Sequence, residues 1–158
     1  MDALQSLYSD ATGERYRTAA HLGVAAMPAL AVENWLFGSA GSAEPVLGNS
    51  LFVACLVAGH RYSTRAGDPT RAGAVTGAVG GSALALWQGW LTLAAWWHHP
   101  TLVELVGDWG MAAAAVAGSL ATAAIVAAVC VLVGLLAGVI GDRLYRHGTA
   151  RLLDSAGT

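Results

Sequence analysis

Few residues in this chain carry groups able to do chemistry, and most stand in apolar surroundings. Glu33 and Asn34 come first, near the end of an apolar run and beside Trp35. A carboxylate inside such a run is costly to bury, which makes it a candidate for carrying protons or binding a cation. Its place so near the end of the run also suits a group resting at the edge of the apolar layer. Gln88 is next, between Trp87 and Trp90 in a long apolar stretch where its amide needs a partner. Trp87 and Trp90 share one helical face. That group would either line a cavity for an apolar or aromatic ligand or pack the bundle with an interhelical hydrogen bond. His98, His99, Glu104 and Asp108 form a third cluster. Imidazole and carboxylate can ligate zinc and similar ions. Two adjacent histidines in a short loop rarely reach the same ion, so a hydrated loop is expected and no metal is assigned. Cys55 and Cys130 lie in apolar runs without CxxC or Cys/His spacing, and read as small buried apolar residues.

No nucleophile elbow, Walker loop, HExxH or dinucleotide fingerprint is present. The glycines fall at helix-packing spacing within apolar runs and do not form a phosphate loop. The expectation is a protein that is not an enzyme and needs no cofactor.

The elements that hold these residues are apolar helices. Hydrophobic residues make up 56% of the 158 residues and charged residues 11%, well under the roughly 25% charged of a soluble domain. Lipid is therefore the expected solvent for most of the chain. The expected fold is all-α: an integral membrane four-helix bundle with up-down topology. Residues 1–17 form an amphipathic N-terminal segment, with Leu4, Leu7, Tyr8 and Ala11 at helical spacing and Gly13 as its stop. The four-span membrane domain covers 18–141, with spans at 18–37, 45–62, 72–97 and 109–141. Residues 142–158 form a polar cytoplasmic tail. Pro28 kinks the first span. The second opens at Pro45 and is short, containing Asn49 and Ser50, so a re-entrant segment is its alternative. The fourth exceeds the ~20 residues a bilayer requires and must tilt or protrude. A cleaved signal peptide is the alternative reading of the first span. Its long apolar run and long leading segment argue against that.

Orientation follows from the basic residues. All eight are arginines. Arg15 and Arg17 precede the first span, Arg61, Arg65 and Arg71 fall in the second loop, and Arg143, Arg146 and Arg151 follow the fourth span. Four spans put every one on the same side, which the positive-inside rule makes the cytoplasm. Both termini are then cytoplasmic, in a multi-pass protein of the cell (plasma) membrane. Trp35, Trp96, Trp97 and Trp109 mark the outer boundary; Tyr16, Tyr62 and Tyr145 mark the inner one. Arg61, Arg65, Arg71, Arg143 and Arg146 are candidate contacts for anionic lipid headgroups. A net charge of −2 gives no bias toward nucleic acid.

Helix packing is the clearest signal. Gly73, Gly77 and Gly81 line one face of the third span, and Gly134 and Gly138 repeat the spacing in the fourth. Small residues let helices approach closely where lipid supplies no hydrophobic drive. The stripes would pack the bundle internally, or pack the protein against itself or a membrane partner as a homo-oligomer or hetero-complex. A small channel or transporter, with Glu33, Asn34 and Gln88 near the pathway, is the alternative function. The small multidrug-resistance transporters are a poor match, because their glutamate is central in the membrane and their charge bias is weak. Gly59-His60-Arg61-Tyr62 and Gly141-Asp142-Arg143-Leu144-Tyr145 close two hairpins that would be a parallel repeat.

Pro45-Val46-Leu47-Gly48, Ala58-Gly59 and Arg71-Ala72-Gly73-Ala74-Val75-Thr76-Gly77 give the middle of the chain a resemblance. It resembles an uncharacterised family of small four-helix integral membrane proteins from halophilic archaea. The absence of Lys, with abundant Ala and Gly, fits a GC-rich genome of that kind or of an actinobacterium. The resemblance implies the architecture and no activity.

Overall fold

A computed structural model describes residues 2–37, 48–64, 67–97 and 100–156. These residues are almost entirely helical, and no strand occurs among them. Five α-helices follow in order: α1 (Asp2–Thr12), α2 (Arg17–Phe37), α3 (Asn49–Tyr62), α4 (Pro69–Trp96) and α5 (Pro100–Ala156). A single 3-10 turn, Glu14–Tyr16, joins α1 to α2.

Local chemistry sets the ends of these helices. Asp68 accepts a hydrogen bond from the Thr70 amide at 2.9 Å, and Pro69 occupies the first turn. That is a side-chain cap followed by a residue whose fixed φ suits a helix start. It begins α4 ahead of the apolar run at Ala72. Gly107 interrupts α5 with φ 70° and ψ 170°, a conformation glycine adopts without the Cβ clash. A short segment lies before it. After it one continuous helix runs to Ala156, so the polar tail prolongs α5. The expected loop residues Gly38–Pro45, Arg65, His98 and His99 lie outside the described residues.

α4 is the central element. It packs against α5 along its length, and against α2, α3 and α1; α3 also contacts α5 and α2. Two clusters fill the interior. One joins Ala26, Leu30, Leu51, Cys55, Leu84, Cys130 and Ala137. The other, at the end where α2 begins, joins Tyr16, Ala19, Ala58, Tyr62, Ala72 and Val75. Tyr16 and Tyr62 therefore turn inward at that end of the bundle.

Large side chains lie mostly on the outside. Val24, Val53, Leu86, Leu120, Ile125, Leu132 and Leu136 are exposed, as are Trp35 (81%) and Trp109 (91%). Among the described residues one stretch, Gly107–Gly148, is long and apolar enough to cross a membrane by length and composition.

Candidate functional site

The site built most completely is a seam of glycines where α3, α4 and α5 meet. α4 presents Gly73, Gly77 and Gly81 to α5, which answers with Cys130, Gly134 and Gly138. A Cβ built on Gly73 would overlap the Gly134 carbonyl oxygen, and one on Gly77 would overlap that of Cys130. On Gly138 it would stand 2.6 Å from the Pro69 carbonyl oxygen. The seam extends to α3. A Cβ on Gly59 would overlap the Gly138 carbonyl oxygen, and one on Gly141 would reach the His60 amide nitrogen at 2.8 Å. Contacts this short hold two backbones together with no side chain between them, and dispersion accumulates along their length.

A second close approach joins α2 to α4. A Cβ on Gly23 would lie 2.8 Å from the Thr76 carbonyl oxygen. Thr76 is fully buried, and its hydroxyl lies 2.9 Å from the Ala19 carbonyl oxygen on α2 and 3.0 Å from that of Ala72 on its own helix. Further along, the Ser119 hydroxyl of α5 donates to the Gly89 carbonyl of α4 at 2.8 Å. Each hydroxyl ties a helix to the backbone of its neighbour.

Glu33 has a defined role at one end of the bundle. Its Oε1 accepts from the Asn49 side-chain amide at 2.6 Å and from the Asn49 backbone amide at 3.3 Å. Its Oε2 accepts from the Ser50 hydroxyl at 2.7 Å and the Ser50 backbone amide at 3.1 Å. The carboxylate of α2 thus caps the first turn of α3, satisfying free amides at the positive end of that helix. Asn34 turns back on its own helix, donating to the Leu30 carbonyl at 2.9 Å. Gln88 is one turn along α4 from Leu84, which reaches Gly48 beside this cap. Its Oε1 is buried without a hydrogen-bond partner among the described residues. The geometry brings Glu33 to Asn49 and Ser50, and no hydrogen bond joins Glu33 to the Gln88 oxygen.

Trp90, Leu93, Ala94 and Trp97 line an open apolar groove of about 410 Å3 on α4. No group of three His, Cys, Asp or Glu side chains able to hold a metal occurs among the described residues.

Tyrosines organise the opposite end. The Tyr16 and Tyr62 rings stack with centroids 5.5 Å apart. The Tyr62 hydroxyl donates to the Arg15 carbonyl at 3.0 Å, and the Tyr16 oxygen accepts from the Asp68 amide at 3.3 Å. His60 meets Tyr145 edge to face at 5.3 Å. The arginines around this end differ in their engagement. Arg71 pairs with Asp10 at 3.2 Å and with the Ser6 hydroxyl at 3.1 Å. Arg146 pairs with Asp142 at 2.9 Å. Arg61 and Arg143 are exposed. The hydrogen bond from Arg146 holds the Asp142 carboxyl below its ordinary value against the opposing effect of desolvation, with Ser63 adding a second bond.

The sequence reading missed Gly59, Gly141, Gly23, Thr76 and Ser119 as packing residues. Gly134, Gly138 and Gly141 follow at four and three residues, which continues the small-residue face. The cap on α3 joins residues 16 and 17 positions apart on two different helices, and no local pattern reveals it.

The fold and its seam define an all-helical protein whose helices pack through glycine. The chain belongs to DUF5518, a family of unknown function, which it matches over residues 16–144. The match takes in α2, α3, α4 and most of α5. No curated protein and no solved structure matches the chain.

Proposed function

We propose that this is a non-enzymatic, multi-pass integral membrane protein that acts through packing, with itself or with a membrane partner. α2 to α5 cross the plasma membrane and both termini lie in the cytoplasm. One observation carries this reading, an inverted distribution of side-chain size. The interior is lined largely by Ala19, Ala26, Ala58, Ala72, Ala115, Ala137 and the glycine seam, with Tyr16, Leu30, Leu51, Tyr62, Val75 and Leu84 as its larger members, while many more Val, Leu, Ile and Trp side chains lie on the outside. In water that arrangement would expose a very large apolar surface and hide little. In lipid it loses nothing, because acyl chains are as apolar as leucine. The apolar Gly107–Gly148 stretch supports the same reading.

Because α4 and α5 consume Gly73, Gly77, Gly81, Gly134 and Gly138 between themselves, any partner meets the outer aliphatic and tryptophan surface. The test is purification with and without detergent, with mass measurement of the detergent complex. A stable monodisperse protein in plain buffer would refute the membrane reading. A strict monomer in lipid would refute self-assembly.

A small channel or transporter is the second reading, favoured by the unpartnered Gln88 oxygen. The four hydrogen bonds on Glu33 weigh against a free carboxylate in a pathway. Ion or proton flux through reconstituted vesicles, lost on Gln88→Leu, would establish it.

A further inference from the structure

We propose that Arg71 is a binding site for the phosphate of an anionic lipid, and that α1 occupies it as a built-in competitor. The inference rests on the membrane reading above. Arg71 lies in the first turns of α4, at the end of the bundle where Arg15, Arg17, Arg61, Arg143 and Arg146 also fall. Its side chain is half exposed. Two separate nitrogens of its guanidinium are engaged, one by the Asp10 carboxylate at 3.2 Å and the other by the Ser6 hydroxyl at 3.1 Å. Ser6 and Asp10 are four residues apart, so they stand one above the other on the same face of α1. Together they offer the fork two oxygens, one of them anionic, as a phosphate does.

Among the described side chains of α1, Ala11 packs against the tyrosine cluster, Leu7 is half-buried and Tyr8 remains 72% exposed. The strap is fastened in part by an ion pair whose arginine is half exposed, an interaction weak enough for a competing anion to displace. A lipid phosphate held at the membrane surface by neighbouring arginines has a high local concentration and the same chemistry as Asp10. Binding it at Arg71 releases Asp10 and Ser6, and α1 leaves the first turn of α4. The protein then senses the anionic lipid content of its own leaflet through the docking of its N-terminal helix.

The test is amide hydrogen exchange of residues 2–12 in the full-length protein. It is reconstituted in nanodiscs of phosphatidylcholine alone and of phosphatidylcholine with phosphatidylglycerol, at one fixed ionic strength. Exchange in α1 should rise about two- to fivefold with phosphatidylglycerol, the span of an exposed ion pair. Inorganic phosphate added to the phosphatidylcholine discs should leave it unchanged, which separates a lipid headgroup from a free ion. Asp10→Asn should exchange fast in both lipids. Arg71→Gln should also be fast in both and lose the response. Wild-type exchange that ignores phosphatidylglycerol would overturn the proposal, as would an Arg71→Gln protein that still responds. Failure of the protein to enter discs at all would instead count against the membrane reading.

Discussion

Substituting alanine at two glycines, one in the seam and one outside it, should change stability in opposite directions. At Gly148 an added Cβ meets nothing within 4 Å. Gly148→Ala in the helical tail should therefore stabilise by about 0.5–1 kcal/mol, the entropy that glycine loses in a helix. At Gly77 the same methyl overlaps the Cys130 carbonyl oxygen and lies 3.2 Å from the Gly134 Cα. Ordinary contact begins at 3.4 Å. α4 and α5 must then part by roughly 1 Å locally, and a gap of that size forfeits a quarter to a half of each dispersion well it opens. Overpacking of this kind costs about 1–3 kcal/mol, against which the helix preference of alanine returns up to ~1 kcal/mol. The net expectation for Gly77→Ala is a loss of about 1–2 kcal/mol. Gly77→Leu, which drives a whole side chain into the seam, should lose more than about 3 kcal/mol or prevent assembly of the bundle. The assay is reversible unfolding in mixed micelles, with each variant compared with wild type under identical lipid. Equal shifts at positions 77 and 148 would refute the reasoning, because they would mean that α4 and α5 are not in backbone contact.

Other variants probe the polar ties. Glu33→Gln should destabilise by about 1–2 kcal/mol, since it removes the charge at the start of α3 and one acceptor oxygen; faster amide exchange confined to the first turn of α3 is the signature. Thr76→Val retains the shape and deletes the bond to the Ala19 carbonyl, for a loss near 0.6 kcal/mol, the average for an interhelical hydrogen bond in a membrane. A loss above roughly 2 kcal/mol in thermal unfolding would show that the hydroxyl does more than tie α2 to α4. Asp142 makes its end of the bundle sensitive to acid. Its folded value lies below the ordinary 3.8, so its contribution is complete above that pH and disappears as pH falls through the lowered value. Protection near Ser63 and Asp142, relative to the intrinsic amide exchange rate at each pH, should fall below about pH 4 in wild type and stay constant there in Asp142→Asn.

The legible parts of this molecule were those written at a fixed spacing. The face of Gly73, Gly77 and Gly81 was visible because residues four apart must share a side of a helix. Helical character was visible in the long apolar runs, but the start of α4 was not: the span was expected from residue 72, and the Asp68 cap with Pro69 begins the helix three residues earlier. Other features depend on which helices become neighbours. Glu33 finds Asn49 and Ser50 only once the end of α2 lies beside the start of α3. Nothing in the sequence pairs Tyr16 with Tyr62, whose stacking and two hydrogen bonds turn both rings inward. Arg71 counted with the other arginines until α1 folded back to supply Asp10 and Ser6.

The carbonyls of Gly134 and Cys130 rest in notches that only the missing side chains of Gly73 and Gly77 provide. Because Gly73, Gly77 and Gly81 stand four residues apart on one face, a slide of α4 along α5 short of that full spacing lifts the oxygens out of their notches. The two helices are therefore keyed like a bolt in a slot, and small shear between them is resisted. A motion that keeps these contacts carries α4 and α5 as one rod, with the hinge left to the parts fastened by single side chains.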